Sequence, residues 1–259
     1  MAHQARKRFG QNFLQDQRVI NRIIDSIAPT SADRLVEIGP GKGAITQPLL
    51  RTCGKLDVIE LDRDLIQPLA NKCQSAGELT IHQHDALTFD FKALAKTQKL
   101  RVVGNLPYNI STPLLFHLID QANSIHDMFF MLQKEVVNRL AATPGARSYG
   151  RLSVIMQYHC QVTPLFDIGP EAFDPAPKVD STFVRLIPWT KPPVTVNHYP
   201  TFEKLVKSAF AQKRKTLRNN LKGILDANAI QQTGIDPSIR AEKLTLEKFA
   251  TLANQLQAV

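Results

Sequence analysis

Short apolar runs recur along the first half of the chain with helical patterns between them, and this rhythm limits the fold more than any other feature. The runs are Arg34 to Ile38, Leu56 to Leu61, Leu79 to Gln83, Leu100 to Gly104 and Met128 to Leu132. They are apolar at successive positions, as strands buried on both faces of a parallel sheet must be. Helices are expected over Gln17–Ala28, Lys42–Arg51, Arg63–Ser75, Thr112–Gln121 and Lys134–Ala142. The fourth has Ser111 as an N-cap and Pro113 in its first turn. The pattern is that of a doubly wound α/β sheet.

After the fifth run the pattern changes. Leu152 to Val162 and Thr182 to Ile187 read as two long strands without a helix between them, joined through the Pro-rich stretch Pro170 to Pro177. An antiparallel pair closing the sheet edge is the simplest account. A second Pro-rich break at Pro188 to Pro193 has no strand signal after it. Helical spacing of apolar residues follows at Phe202–Phe210, Thr216–Leu225 and Leu246–Leu256. The expected division is a cofactor-binding catalytic domain over residues 1–190 and a small all-α domain over 191–259. A chain of 259 residues, 43% apolar, is long enough to bury both cores.

Charge narrows the class of partner. Lys and Arg number 32 against 23 Asp and Glu, and the net charge of +9 favours a polyanion over an acidic small molecule. Cys53, Cys73 and Cys160 are odd in number and far apart, which fits a reduced compartment and forms no Cys-x-x-Cys metal or redox pair. The polar, basic start of the chain and the lack of any apolar segment of membrane-spanning length lead us to expect a soluble cytoplasmic protein. No metal site is expected. His82 and His84 share a strand face without a third ligand and read as structural.

The first strand ends in Glu37-Ile38-Gly39-Pro40-Gly41-Lys42-Gly43 and runs into a helix, so small residues stand where backbone passes close to a ligand. Glu60 ends the second strand 21 positions after Gly39, where a carboxylate can accept both hydroxyls of a ribose. Together they suggest an adenosine-containing cofactor. A Walker loop is excluded by spacing, and Gly-x-Gly-x-Gly also departs from the dinucleotide fingerprint. Asp85-Ala86 ends the third strand. Its carboxylate can accept from an adenine amino group, with a helix N-cap as the open alternative.

The fourth strand delivers Asn105-Leu106-Pro107-Tyr108 to the same edge. Proline restricts its own backbone and that of the residue before it, which makes the turn stiff and aims its carbonyls. An exocyclic adenine nitrogen is a poor nucleophile because its lone pair is delocalised into the ring. Acceptors on Asn105 and on the carbonyl of Leu106 or Pro107 would favour a pyramidal nitrogen aimed at a sulfonium methyl. Tyr108 offers a face for base stacking. Such a displacement depends on orientation more than on a strong base, so no Ser-His-Asp arrangement is expected.

With these residues in view the chain resembles the ribosomal RNA adenine dimethyltransferases, over nearly its whole length. The resemblance rests on Gln11-Asn12-Phe13-Leu14, Glu37 to Gly41, Glu60, Asp85-Ala86, Asn105 to Ser111, and Phe173 to Ser181 with Pro177-Lys178-Val179-Asp180-Ser181. It implies a Rossmann-like class I methyltransferase sheet, mostly parallel with an antiparallel edge strand, and S-adenosylmethionine as cofactor. Cofactor contacts are implied for Asn12, Leu14, Gly39, Glu60, Asp85 and Asn105, with Gly41 and Ala86 in the same loops.

The target base would meet Asn105, Leu106, Pro107 and Tyr108, and Phe173 would cover its other face. An apolar anchor in a Pro-rich loop is the alternative for Phe173. The implied substrate is the 3′-terminal hairpin region of 16S rRNA in an immature small ribosomal subunit, dimethylated at N6 of two adjacent adenosines by a monomeric enzyme. Such bases must leave their stack to enter the site. Lys213, Arg214, Lys215, Arg218 and Lys222 on an expected helix, and the arm Arg6-Lys7-Arg8, are candidates for phosphate contact, or simply solvated faces.

Three other readings share part of this pattern. The related enzymes of large-subunit rRNA share the Asn-x-Pro-Tyr chemistry. A nicotinamide-dependent dehydrogenase would use a similar Gly-rich turn. An assembly factor that docks on the immature subunit need not exclude catalysis.

Overall fold

The computed structural model describes residues 11–256. The chain begins with β1 (Phe13–Leu14), α1 (Gln17–Ile27), β2 (Arg34–Ile38), α2 (Thr46–Cys53), β3 (Lys55–Glu60), α3 (Arg63–Cys73), β4 (Glu78–Gln83) and α4 (Phe91–Ala95). It continues with β5 (Leu100–Asn105), α5 (Ser111–Ile119), β6 (Ile125–Gln133), α6 (Lys134–Leu140), α7 (Arg151–His159), β7 (Cys160–Ile168), β8 (Phe173–Asp174) and β9 (Ser181–Pro188). The last helices are α8 (Tyr199–Ala209), α9 (Leu217–Asn220), α10 (Ala227–Gln232) and α11 (Leu246–Gln255). Among the described residues no helix is long and apolar enough to cross a membrane. Cys53, Cys73 and Cys160 are free and buried.

Contacts divide the chain into two compact units. One runs to Val137 and adds Thr163–Pro188; the other joins Asn138–Val162 to Trp189 and the residues after it. The second unit therefore includes α7, which precedes the Pro-rich break near residue 190.

The first unit is built on a seven-stranded sheet in the order β4-β3-β2-β5-β6-β9-β7, with a separate two-stranded β1-β8 ladder. β4, β3, β2, β5 and β6 pair in parallel, and β9 runs antiparallel to β6. The strand order reverses between β2 and β5, which leaves a crevice at their carboxyl ends. α1 shows why the local sequence folds as it does. Asp16 caps it by accepting from the Arg18 and Val19 amides, and Ile20, Ile23 and Ile27 bury one face at helical spacing. At the opposite end of the sheet, the fully buried Asp127 is held by Arg101 and Arg185, each at 2.9 Å, while Arg101 also reaches Asp33 at 2.9 Å.

Several local expectations are corrected. α2 starts at Thr46 and not Lys42, because Gly39, Gly41 and Gly43 all take positive φ and cannot be helical. The N-cap of α5 is Ile110; Ser111 is its first residue and donates its hydroxyl to the Tyr108 carbonyl at 3.1 Å. Leu152 to Val162 is not one strand, since Arg151–His159 is helical and the strand begins only at Cys160. Ser153, Val154, Ile155, Met156 and Tyr158 of α7 are all buried. A helix covered around most of its circumference shows no 3.6-residue period, so its apolar run imitates a strand.

In the second unit α7, α8 and α11 pack together. Tyr158 meets Phe202 with ring centroids 5.0 Å apart, Phe210 meets Phe249 at 5.6 Å, and Tyr149 donates to the Leu244 carbonyl at 2.9 Å. Thr216 to Leu225 forms only the four-residue α9, followed by a turn in which Gly223 has φ +83. Arg218 is thus helical, Lys222 lies past the helix end, and Lys213 to Lys215 form a turn.

Candidate active site

The crevice between β2 and β5 opens into a cavity of about 290 Å³. Its lining brings together Asn12, Leu14, Gly39, Gly41, Glu60, Asp85, Ala86, Asn105, Leu106, Pro107 and Tyr108. The parallel register pairs Ile38 with Gly104, so the Gly-rich loop and the Asn105 turn leave the sheet side by side. Close approach of the two strands requires glycine at 104, where an added Cβ would sit 2.6 Å from the Ile38 carbonyl.

On the loop side, Gly39 and Gly41 have φ +65 and +56, and the turn wraps towards Glu60. The Glu60 carboxylate accepts from the Gly41 amide at 3.2 Å and the Asp62 amide at 2.8 Å. Burial pushes its carboxyl up, opposed by these backbone donors. Each oxygen keeps a further lone pair for a ligand hydroxyl. Asp85 accepts from the Leu87 amide at 2.9 Å, which ties a turn; no helix begins until Phe91, so it is not a helix N-cap. The N-terminal segment closes over the loop, with Gln11 donating to Asp62 at 3.1 Å.

On the turn side, Asn105 donates its amide nitrogen to the Asn12 carbonyl at 2.9 Å. That bond orients the amide and, among the described residues, leaves its oxygen as the free acceptor. The Pro107 carbonyl accepts from the Ile110 amide at 3.1 Å, which favours the Leu106 carbonyl as the second acceptor. Leu106 itself is buried and donates its amide to Met131 at 3.2 Å, so the turn is anchored to β6. Tyr108 is partly buried and its hydroxyl meets Ser181 at 2.8 Å. Burial pushes the phenol up, opposed by that hydrogen bond.

Phe173 is a correction. It is 3% exposed, pairs with Leu14 in the β1-β8 ladder, and packs in the cluster of Leu14, Ile20, Ile23 and Phe183, outside the cavity lining. In this conformation it is the apolar anchor behind the N-terminal segment and does not face Tyr108 across a base. Lys213, Arg214, Lys215, Arg218 and Lys222 are exposed and grouped in the second unit. Arg6, Lys7 and Arg8 lie outside the described residues. His82 is held by Asp57 at 2.7 Å, a structural partner, whereas His84 lines the cavity.

Sequence reasoning gave no role to Glu37, Asp62, Met131 or Ser181. Glu37 carried a visible signal, a carboxylate inside an otherwise apolar strand. It lines the cavity at 1% exposure, and among the described residues its Oε2 has no hydrogen-bond partner. The Thr46 hydroxyl faces the same carboxyl group. Burial pushes the Glu37 carboxyl up to about 8, with Thr46 opposing, Glu60 adding and Lys72 opposing. Met131 is one apolar residue in an apolar strand and leaves no local signature, and Ser181, though part of the Pro177–Ser181 motif, meets Tyr108 only across 73 positions of chain.

The family described as ribosomal RNA adenine dimethylase matches residues 2–258. A Pseudomonas aeruginosa protein named ribosomal RNA small subunit methyltransferase A is 56% identical over 98% of this chain and 95% of its own. A Vibrio cholerae protein of the same name is 53% identical over 100% and 96%. The crystal structure of a Plasmodium falciparum dimethyladenosine transferase aligns with TM-score 0.79 and 25% identity over 93% and 95% of the two chains. That of the 23S rRNA methyltransferase ErmE shares the fold, with TM-score 0.73 and 22% identity over 95% and 100%.

Proposed function

The chain belongs to the ribosomal RNA adenine dimethylase family, and from that premise we propose that it transfers methyl groups from S-adenosylmethionine to N6 of two adjacent adenosines in the 3′-terminal hairpin region of 16S rRNA. The substrate in this reading is an immature small ribosomal subunit, met in the cytoplasm by a monomer with a role in subunit biogenesis. Relatives named as small-subunit methyltransferases and matched over nearly their full length support small-subunit over large-subunit RNA. The observation that carries the chemistry is the meeting of the Asn105 turn and the Gly39–Gly41 loop around one cavity.

The residues present fit the cofactor. Glu60 retains acceptor capacity for a ribose diol, Gly39 and Gly41 supply the positive-φ backbone that turns the loop past the cavity, and the Glu37 Oε2, unpaired among the described residues, suits an ammonium group. When bound, S-adenosylmethionine supplies an activated, electrophilic methyl group. Asn105 Oδ1 and the Leu106 carbonyl accept the amino hydrogens of the adenine and aim its nitrogen lone pair. The Asn12 carbonyl keeps the Asn105 amide from flipping, and Pro107 holds the turn rigid. Tyr108 supports the base by stacking, worth about 1–3 kcal/mol. Catalysis then comes from position and matched hydrogen bonds, with no strong base needed. The exposed cationic group around Lys213 to Lys222 meets phosphates in this reading.

Mass spectrometry of 16S rRNA after incubation of unmodified small subunits with the protein and labelled cofactor tests the proposal. Two neighbouring dimethyladenosines are expected, and label confined to large subunits would refute the substrate. Asn105→Ala should slow methylation about 100-fold or more while subunit binding persists. Unchanged methylation would remove the role given to Asn105.

A further inference from the structure

Stacking alone leaves an aromatic ring free to tilt about its Cα–Cβ and Cβ–Cγ bonds, and a tilting ring cannot hold a base in one pose. Tyr108 is held at both ends. Its backbone carbonyl receives the Ser111 hydroxyl at 3.1 Å, and its own hydroxyl meets Ser181 Oγ at 2.8 Å. Ser181 is fully buried at the start of β9, where it pairs with Gln133 of β6. The adjoining backbone is clamped as well: Lys134 donates its amide to the Asp180 carbonyl at 3.0 Å, and Thr182 donates its hydroxyl to Asp167 at 2.6 Å. The ring hydroxyl is therefore tied to the rigid sheet, not to a loop that moves with it.

We propose that Ser181 is a positioning residue for methyl transfer, fixing the Tyr108 ring against which the adenine stacks, and that this restraint matters most for the second transfer to each base. The inference rests on the reading of Tyr108 as the stacking surface. An unmethylated amino group has two hydrogens, so more than one base orientation gives the Asn105 oxygen a donor. A monomethylated nitrogen has one, and it must be directed to the acceptor while the methyl already present is accommodated. A loosened ring spreads the base over several poses, which costs the second transfer more than the first. Ser181 touches neither base nor cofactor in this account and acts through Tyr108.

The test compares the full-length wild type with Ser181→Ala, Tyr108→Phe and the double variant on unmodified small subunits. Monomethyl- and dimethyladenosine are resolved by mass spectrometry at matched total turnover, and cofactor affinity is measured by calorimetry. Both single variants should slow the second transfer about tenfold, raise the monomethyl fraction and leave cofactor affinity unchanged. The double variant should be no worse than either single one, because both remove the same bond. Tyr108→Phe keeps the ring and leaves β9 untouched, so it carries the test alone should Ser181→Ala not fold. A wild-type product ratio in Tyr108→Phe, or effects that multiply in the double variant, would overturn the inference. A wild type that forms no methyladenosine overturns the functional reading and this inference with it.

Discussion

Replacing Glu37 by Gln separates a buried carboxyl from everything else that titrates. The group is 1% exposed, its Oε2 has no partner among the described residues, and burial pushes it up to about 8 from an ordinary 4.5. A carboxyl whose folded value is raised contributes stability that is fully present below the unfolded value and lost as pH rises through the folded one. At about 1.4 kcal/mol per pH unit, the interval from 4.5 to about 8 corresponds to about 5 kcal/mol, an order-of-magnitude figure. Gln cannot ionise, so the variant should lack this loss. Urea unfolding from pH 5 to 9 should show wild-type stability falling relative to Glu37→Gln, with a limiting slope of about 1.4 kcal/mol per pH unit. Cofactor binding gives a second readout. A cationic ammonium at Glu37 Oε2 ionises the carboxyl, so binding near neutral pH should release nearly one proton and tighten as pH rises to about 8. Calorimetry in buffers of different ionisation enthalpy measures that proton. Stability curves that run parallel from pH 5 to 9 would refute the reasoning.

Phe173→Ala should cost about 3–5 kcal/mol as a core truncation, so thermal unfolding should shift strongly; a stable variant that loses only methylation would restore the base-covering role. Asp127→Ala should destabilise by about 3–5 kcal/mol, because it strips Arg101 and Arg185 of a fully buried partner. Its denaturant midpoint is the measurement, and a change within error would make the network dispensable. Neutralising Lys213, Arg214 and Lys215 together should lower the slope of log affinity against log salt for small subunits by up to roughly two to three. An unchanged slope would show those cations to be a solvated face.

What could be read along the chain was whatever its neighbours in sequence enforce. The central strands of the parallel sheet announced themselves because burial on both faces leaves a largely apolar run, as at Met128–Leu132, whereas edge strand β4, with no fully buried residue, showed only the alternation of Leu79 and Ile81; the Gly39–Gly43 and Asn105–Tyr108 turns were legible because only certain residues adopt such backbones. Those local constraints, with Glu60 and Asp85 at strand ends, were enough to indicate the edge of the sheet, the cofactor loop and the chemistry of the base.

The tertiary structure decided what depends on partners far away in the chain. α7 imitated a strand because it is buried on nearly every side, so its period vanished. Phe173 had the right residue type for a base cover, yet the β1-β8 ladder turned it into the core. The free acceptor on Asn105 is selected by the Asn12 carbonyl, and the Tyr108 ring is fixed by Ser181. No spacing rule reaches across such separations, because these contacts exist only once the sheet has assembled and brought the strand ends together.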